Sequence, residues 1–208
     1  MKQLKYSVTI KGVTPYMQHR MDDEKLQEWE TRRKKIIERE GLDTEAEKIA
    51  AYHAFIDENG NFYLPSDHIR MSLINAGTFM KSKVGNARKS MANIVAAMFS
   101  ITPEQIELPK FDTVDIRSAV NKNVKARIIV KRPKWLDWKA EFTLIIDDDT
   151  ITKETVEDLL SYSGRYVGIG SYRPEHRGQF GRFEVESIKR ISEPSNGVKK
   201  KVVEEEIG

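Results

Sequence analysis

Between Lys5 and Val13, apolar Tyr6, Val8 and Ile10 alternate with polar Ser7, Thr9 and Lys11. This period-two pattern predicts a half-buried strand, ended by Gly12 and Thr14-Pro15. Polar Gln18, His19 and Arg20 follow just past the strand end, a common position for function. Asp22 or Asp23 then caps a predicted helix to about Glu40, with Leu26, Trp29, Ile36 and Ile37 as its apolar stripe and Gly41 just beyond its end. Thr44 and Glu47 have the spacing of a capping box and open a second helix reaching about His53.

Phe55-Ile56 and Phe62-Tyr63-Leu64 flank Asn59-Gly60, a strong hairpin signal. Pro65-Ser66 starts a helix, with Ser66 as its expected cap and Ile69, Leu73 and Met80 on its buried side. Lys81 to Ser90 reads as a basic loop of small residues, followed by a helix over about Met91–Phe99. Val114–Val120 and Val124–Lys131 read as strands around Asn121-Lys122-Asn123, and Trp138–Ile146 alternates as another. Thr152 caps a helix burying Val156, Leu159 and Leu160, with Gly164 as its expected stop. A last strand spans about Arg182–Ile191.

With insertions at about 21–55 and 81–112 set aside, the order is β-α-β-β-α-β. That predicts an α+β fold with a ferredoxin-like, RRM-like core and a glycine-rich loop before the last strand. One domain is expected over 1–193, with 194–208 as a flexible charged tail carrying Lys199-Lys200-Lys201 and Glu204-Glu205-Glu206.

Composition narrows the chemistry. With no cysteine among 208 residues, disulfides and thiolate metal sites are excluded. The four histidines form no His-x-x-x-His pair, so no metal and no cofactor are expected. Asp22 and Asp23 after His19 are neighbouring carboxylates of the type that holds magnesium, but helix capping accounts for them more simply. No apolar run approaches a membrane span and the first residues have no apolar signal core, so a cytoplasmic protein of a prokaryotic or phage-infected cell is expected.

The net charge of +3 hides a segregation: 12 acids against 7 bases from Met21 to Glu58, but 14 bases against 6 acids from Ser66 to Lys139. Charge sorted in this way gives one face suited to a polyanion and another that repels it.

Three stretches carry that chemistry. From Gly164 to Phe183, five glycines interleave with Arg165, Tyr172, Arg173, His176, Arg177, Phe180 and Arg182. Glycine allows close backbone approach, arginine offers a fork for phosphate, and aromatic rings offer stacking faces. The loop follows a helix and precedes a strand, the reverse of a dinucleotide fingerprint, and it has no Lys-Ser/Thr of a P-loop, so nucleotide hydrolysis is not indicated. The second stretch is Lys122, Lys125, Arg127, Lys131, Arg132, Lys134 and Trp135, in which Lys125, Arg127 and Lys131 share one strand face. Trp135 is the stacking candidate there, while Trp138 is expected in the core. The third is the basic loop with Lys81, Lys83, Arg88 and Lys89.

Gly60-Asn61-Phe62-Tyr63-Leu64-Pro65-Ser66-Asp67-His68-Ile69-Arg70-Met71-Ser72-Leu73 is similar to the Tyr-Ile-Pro-Gly-Ser-Ser-Leu-Arg opening of the first helix in the RAMP superfamily, the repeat-associated proteins of CRISPR effector complexes. Ser66-Asp67-His68 stands where that family has Gly-Ser-Ser. The strand leading to Thr14-Pro15 and the glycine-rich loop before the last strand complete the resemblance, which is greatest to backbone subunits that polymerise along guide RNA. It implies that the loop and the first-helix start lie against a nucleic-acid backbone. It also implies that the segment after the first strand is where some members place a cutting residue.

The expected function is sequence-independent binding of single-stranded nucleic acid without catalysis. The leading form is a coat for single-stranded DNA in phage-type replication or recombination. A CRISPR-type guide-RNA backbone subunit and a RAMP-type endoribonuclease using His19, Asp22 or Asp23 stand as alternatives. Expected partners are single-stranded DNA or RNA, further copies of the chain along the strand, and replication or effector-complex proteins that bind the acidic tail.

Overall fold

The computed structural model describes residues 3–20, 44–84, 87–121 and 126–191. The helix expected after Asp22, the Asp22–Asp23 pair, Lys122, Lys125 and the tail from 194 lie outside the described residues.

The predicted alternation builds the main sheet. Strand β1 (Leu4–Gly12) turns Tyr6, Val8 and Ile10 inward, and β10 (Lys139–Ile146) does the same with Ala140, Phe142, Leu144 and Ile146. These strands pair antiparallel; β11 (Phe183–Arg190) adds to the far side of β1, and β6 (Phe99–Thr102) to the far side of β10. The order β11-β1-β10-β6 is fourth, first, third, second, the arrangement of a ferredoxin-like core.

The second core strand is thus Phe99–Thr102, inside the 81–112 stretch that the sequence sets aside as an insertion. Only four residues long and joined directly to a helix, it has too few alternating positions for a period-two signal. The predicted hairpin forms instead a separate sheet, in which β9 (Ala126–Trp135) lies between β8 (Thr113–Asn121) and β2 (Tyr16–Met17).

Helix α1 (Glu45–Tyr52) has the predicted box: the Thr44 hydroxyl accepts from the Glu47 amide at 3.2 Å, and the Glu47 carboxylate accepts from the Thr44 amide at 3.0 Å. It packs along β9. Helix α2 (Ser66–Ala76) opens at Pro65 without a side-chain cap, because Ser66 is already helical and buried; its amide donates to Glu104 O at 2.9 Å. Before α2, β3 (Tyr63–Pro65) pairs with β7 (Gln105–Glu107), while the Asn59-Gly60 turn is closed by a bridge between Ile56 and Phe62.

The basic segment expected as a loop is a hairpin, β4 (Lys81–Val84) paired with β5 (Ala87–Ser90). Helix α3 (Ala92–Met98) follows, and α4 (Lys153–Tyr162) is capped by Thr152 as predicted. No helix among the described residues is long and apolar enough to cross a membrane.

Gly164 does not stop α4. The chain continues through a π-helical turn, Ser163–Val167, and ends at Gly168. Gly164 is instead where the helix end crosses β11: a methyl placed on it would overlap the Phe183 carbonyl. Helix propensity alone makes Gly→Ala stabilising by about 1 kcal/mol. The backbone overlap reverses that sign, so Gly164→Ala should lower the urea midpoint of unfolding; a raised midpoint contradicts this packing.

Candidate nucleic-acid interface

Burial and hydrogen bonding bring three segments together. After β2, fully buried Gln18 donates to Tyr63 O at 2.8 Å and accepts from the Phe55 amide at 2.7 Å, fixing the path to His19 and Arg20. Gln18 also donates to the Tyr16 hydroxyl at 3.2 Å. That hydroxyl lies 3.0 Å from Nδ1 of His68, in the first turn of α2. Burial holds the Tyr16 pKa far above its ordinary range, so the phenol keeps its proton and shares a hydrogen bond with His68.

The glycine-rich loop closes over this chain of contacts. The Ser171 amide donates to Met17 O at 2.9 Å and the Gly181 amide to Pro15 O at 2.8 Å. Gly170, at φ +74°, passes so close to Met17 and the Tyr16 ring that a side chain would overlap both. The result is a cavity of about 300 Å³ lined by His19, Asp67, His68, Met71, Ser72, Ile169, Gly170, Ser171 and Arg173. The segment after the first strands, the first-helix start and the loop thus share one polar site.

Beyond the cavity, the loop rests on one face of the β8–β9 hairpin. Arg117 lies 5.2 Å from the Tyr172 ring centre and 5.0 Å from that of Phe180. Arg132 lies 5.1 Å from Tyr172, and Lys134 4.9 Å from Phe180. Each contact is a cation held against an aromatic face. Tyr172 and Arg177 are non-glycine residues in the left-handed region, at φ 55° and 62°, a conformation that persists only where surrounding contacts impose it.

The hairpin's two faces divide the predicted basic band. Asp115 pairs with Arg132 and Ile116 with Lys131, so Arg132 faces the loop while Lys131 and exposed Arg127 lie on the other side. Arg117 was not among the expected site residues and Lys134 was only part of the band; their strand period, matching Arg132 across the register, is the signal that finds them.

Arg132 is buried to 6% exposure, with Nε and Nη1 unpartnered among the described residues; Asp115 Oδ2 and His19 Nδ1 share that condition. A buried guanidinium without a hydrogen-bonded ion pair is costly; among the described residues, the Tyr172 face and Asp115 opposite it in the register are what Arg132 meets. The rings of His19 and His53 lie 4.6 Å apart. Burial first, then the Arg132 charge, lowers the His19 pKa to about 4. His53 is lowered too, by burial and Arg132 against a bond to Arg20 O. His68 falls to about 4 through burial and the Arg173 charge. All three are neutral at physiological pH.

The other expected residues are more scattered. Arg173 is committed within the loop, its Nε and Nη2 each 2.8 Å from Glu175 Oε2 and its Nη1 donating to Gly170 O at 3.2 Å. His176, Arg177 and Arg182 are exposed along the loop. Arg165 lines a separate cavity with Glu157, Glu184 and Glu186, surroundings that disfavour phosphate. Lys81 is exposed on the hairpin, and Lys83, Arg88 and Lys89 lie on its paired strands.

Trp135 is corrected. It is fully buried, its Nε1 donates to Pro109 O at 2.7 Å, and its ring packs against Tyr16, Phe62 and Phe111. No base can stack there. Trp138 is in the core as expected. Among the described residues, no group of three or more His, Asp or Glu is placed to hold a metal ion.

No protein-family model matches the chain, and no curated protein matches its sequence. Among solved structures, its fold is similar to that of a chain in the type III-B Cmr-beta bound to cognate target RNA, with TM-score 0.51 and 10% identity over 91% of this chain. The chain spans 61% of the length of that neighbour. At such identity the shared feature is the fold. A chain of a type IV-B CRISPR complex aligns over 97% of this chain and 95% of its own length at 8% identity, but its TM-score of 0.39 is too low to carry an argument.

The histidine environment gives a signed pH dependence. His19 and His68 bind protons near pH 6.5 when unfolded but near pH 4 when folded. Their contribution to stability is complete above pH 6.5 and is lost as pH falls toward 4. The urea midpoint should therefore drop between pH 7 and pH 4.5, and His68→Asn should show a shallower drop. Identical slopes for variant and wild type contradict the assignment.

Proposed function

We propose that this chain binds single-stranded RNA through its sugar-phosphate backbone, as a guide-RNA-binding backbone subunit of a CRISPR-type effector assembly. The observation that supports this most is the meeting of the glycine-rich loop, the start of α2 and the segment after β2 at one polar cavity. Arg117 and Lys134 continue the basic surface beside it, with buried Arg132 beneath the loop. A loop whose close-passing backbone leaves exposed Arg177 and Arg182 along its length suits repeated phosphates more than a single compact ligand.

The likeness to a subunit from an RNA-bound type III-B complex favours the guide-RNA reading over a coat for phage single-stranded DNA. Self-association along the strand belongs to the same reading.

Binding is favoured over cleavage by the histidines. A general base works best with a pKa near the operating pH, whereas His19 and His68 lie near 4. Incubation with labelled RNA tests this part: cleavage that disappears in His19→Ala would replace the binding reading with the endoribonuclease.

The direct experiment is titration of matched single-stranded RNA, single-stranded DNA and duplex across a salt series. Single-stranded RNA should bind most tightly. Because Arg173 is internally paired, the informative variant is Arg177→Ala with Arg182→Ala. It should weaken binding regardless of sequence and flatten the log-affinity against log-salt slope by about 1.4, from about 0.7 per phosphate contact. Unchanged affinity and slope would sink the proposal.

A further inference from the structure

A cluster of aromatic rings lies outside the site described above. Phe79, just past α2, and Tyr162 and Tyr166, at the end of α4 and in the π-helical turn, form a triangle of rings. Their centres are 6.3 Å apart for Phe79 and Tyr162, 5.7 Å for Phe79 and Tyr166, and 5.6 Å for Tyr162 and Tyr166. Phe79 and Tyr162 are nearly parallel, at 7°, while Tyr166 is tilted by 39° to Phe79 and 32° to Tyr162. Tyr162 is partly buried against the core and anchors the group, while Phe79 is 56% exposed and Tyr166 54% exposed. Large rings left in water together need a reason, since burying them is strongly favourable.

Two placements indicate what would cover them. The β4–β5 hairpin begins at Lys81, two residues after Phe79, and the exposed Lys81 side chain places a positive charge beside the rings in the chain. On the other side, Asn75 of α2 donates to Glu175 Oε1 at 2.6 Å, tying the ring-bearing end of α2 to the turn that precedes exposed Arg177. The platform thus lies between Lys81 and the turn that precedes Arg177. Asp158, exposed one turn before Tyr162, is the carboxylate that bounds it. Exposed π-faces with flanking cations and no metal or thiol chemistry match an unpaired nucleobase on a phosphate chain.

We propose that Phe79, Tyr162 and Tyr166, with Lys81 where the β4–β5 hairpin begins, form a second single-strand subsite in which an unpaired base stacks on the exposed rings. This rests on the RNA-binding reading and extends the strand's path past the glycine-rich loop, along the end of α2.

The test compares the wild-type chain with Phe79→Ala/Tyr166→Ala, each titrated with a mixed-sequence single-stranded RNA and with an abasic ribose-phosphate strand of equal length. The variant should bind the base-bearing RNA at least about fivefold more weakly for each ring lost. It should bind the abasic strand as wild type does, which also shows that it is folded. Phe79→Tyr should retain wild-type affinity. Equal weakening for both strands assigns the rings a structural role and overturns the subsite, as does undiminished binding of the base-bearing RNA. A change of oligomeric state in the variant with RNA affinity intact makes the platform a contact between copies instead. If wild type binds neither strand, the RNA-binding reading fails and the subsite with it.

Discussion

Tyr16 is the point on which the two sheets, the first core helix and the loop all depend. It is fully buried, with its ring 5.6 Å from Trp135 and 5.5 Å from Trp138. The first tryptophan belongs to β9 and the second directly precedes β10, so the ring packs the inserted sheet onto the core. Both indoles satisfy their donors: Trp135 at Pro109 O and Trp138 at Thr14 O, 2.9 Å away. The Tyr16 hydroxyl reaches α2 through His68, and its ring lies under Gly170. A bulky apolar ring with one polar tip meets both requirements, filling the space between layers and placing a proton donor at the edge of the cavity.

The rest of the interface follows from that anchoring. With the loop held down at Gly170 and Gly181, Tyr172 and Phe180 are laid over the β8–β9 face, and cations collect on them. Arg132 is then buried without a carboxylate partner among the described residues, and its charge contributes to lowering the pKa of His19 and His53. Among the described residues, a buried guanidinium with no ion-pair partner and two non-glycine left-handed residues each cost stability, and all three lie at the proposed interface.

Strong local sequence signals correspond to the elements that form. Alternation in Tyr6-Val8-Ile10 and in Ala140-Phe142-Leu144-Ile146 located the two central strands, and the Thr44 and Thr152 caps located two helix starts. What local signals cannot carry was missed. Phe99–Thr102 is too short for its period to register, and a glycine such as Gly164 is equally suited to stopping a helix or to letting a strand cross it closely. The glycine-rich loop and the first-helix start were legible as candidates from composition and from the RAMP resemblance. The division of the basic band was legible only in part. Strand parity separates Arg132 from Arg127 and Lys131, but only the tertiary arrangement shows that Arg132 meets the loop. Trp135 exemplifies the limit: a tryptophan beside four basic residues looks the same in sequence whether it faces a base or closes the core.

In the proposed complex, RNA lies along the glycine-rich loop and the adjoining face of the β8–β9 hairpin. Photocrosslinking of 4-thiouridine-substituted single-stranded RNA, followed by mass-spectrometric mapping of the attached residues, reads that path directly. Adducts are expected between Gly170 and Arg182 and on the strand bearing Arg117. Adducts confined to the acidic surface of Glu157, Glu184 and Glu186, with none on the loop, would contradict it.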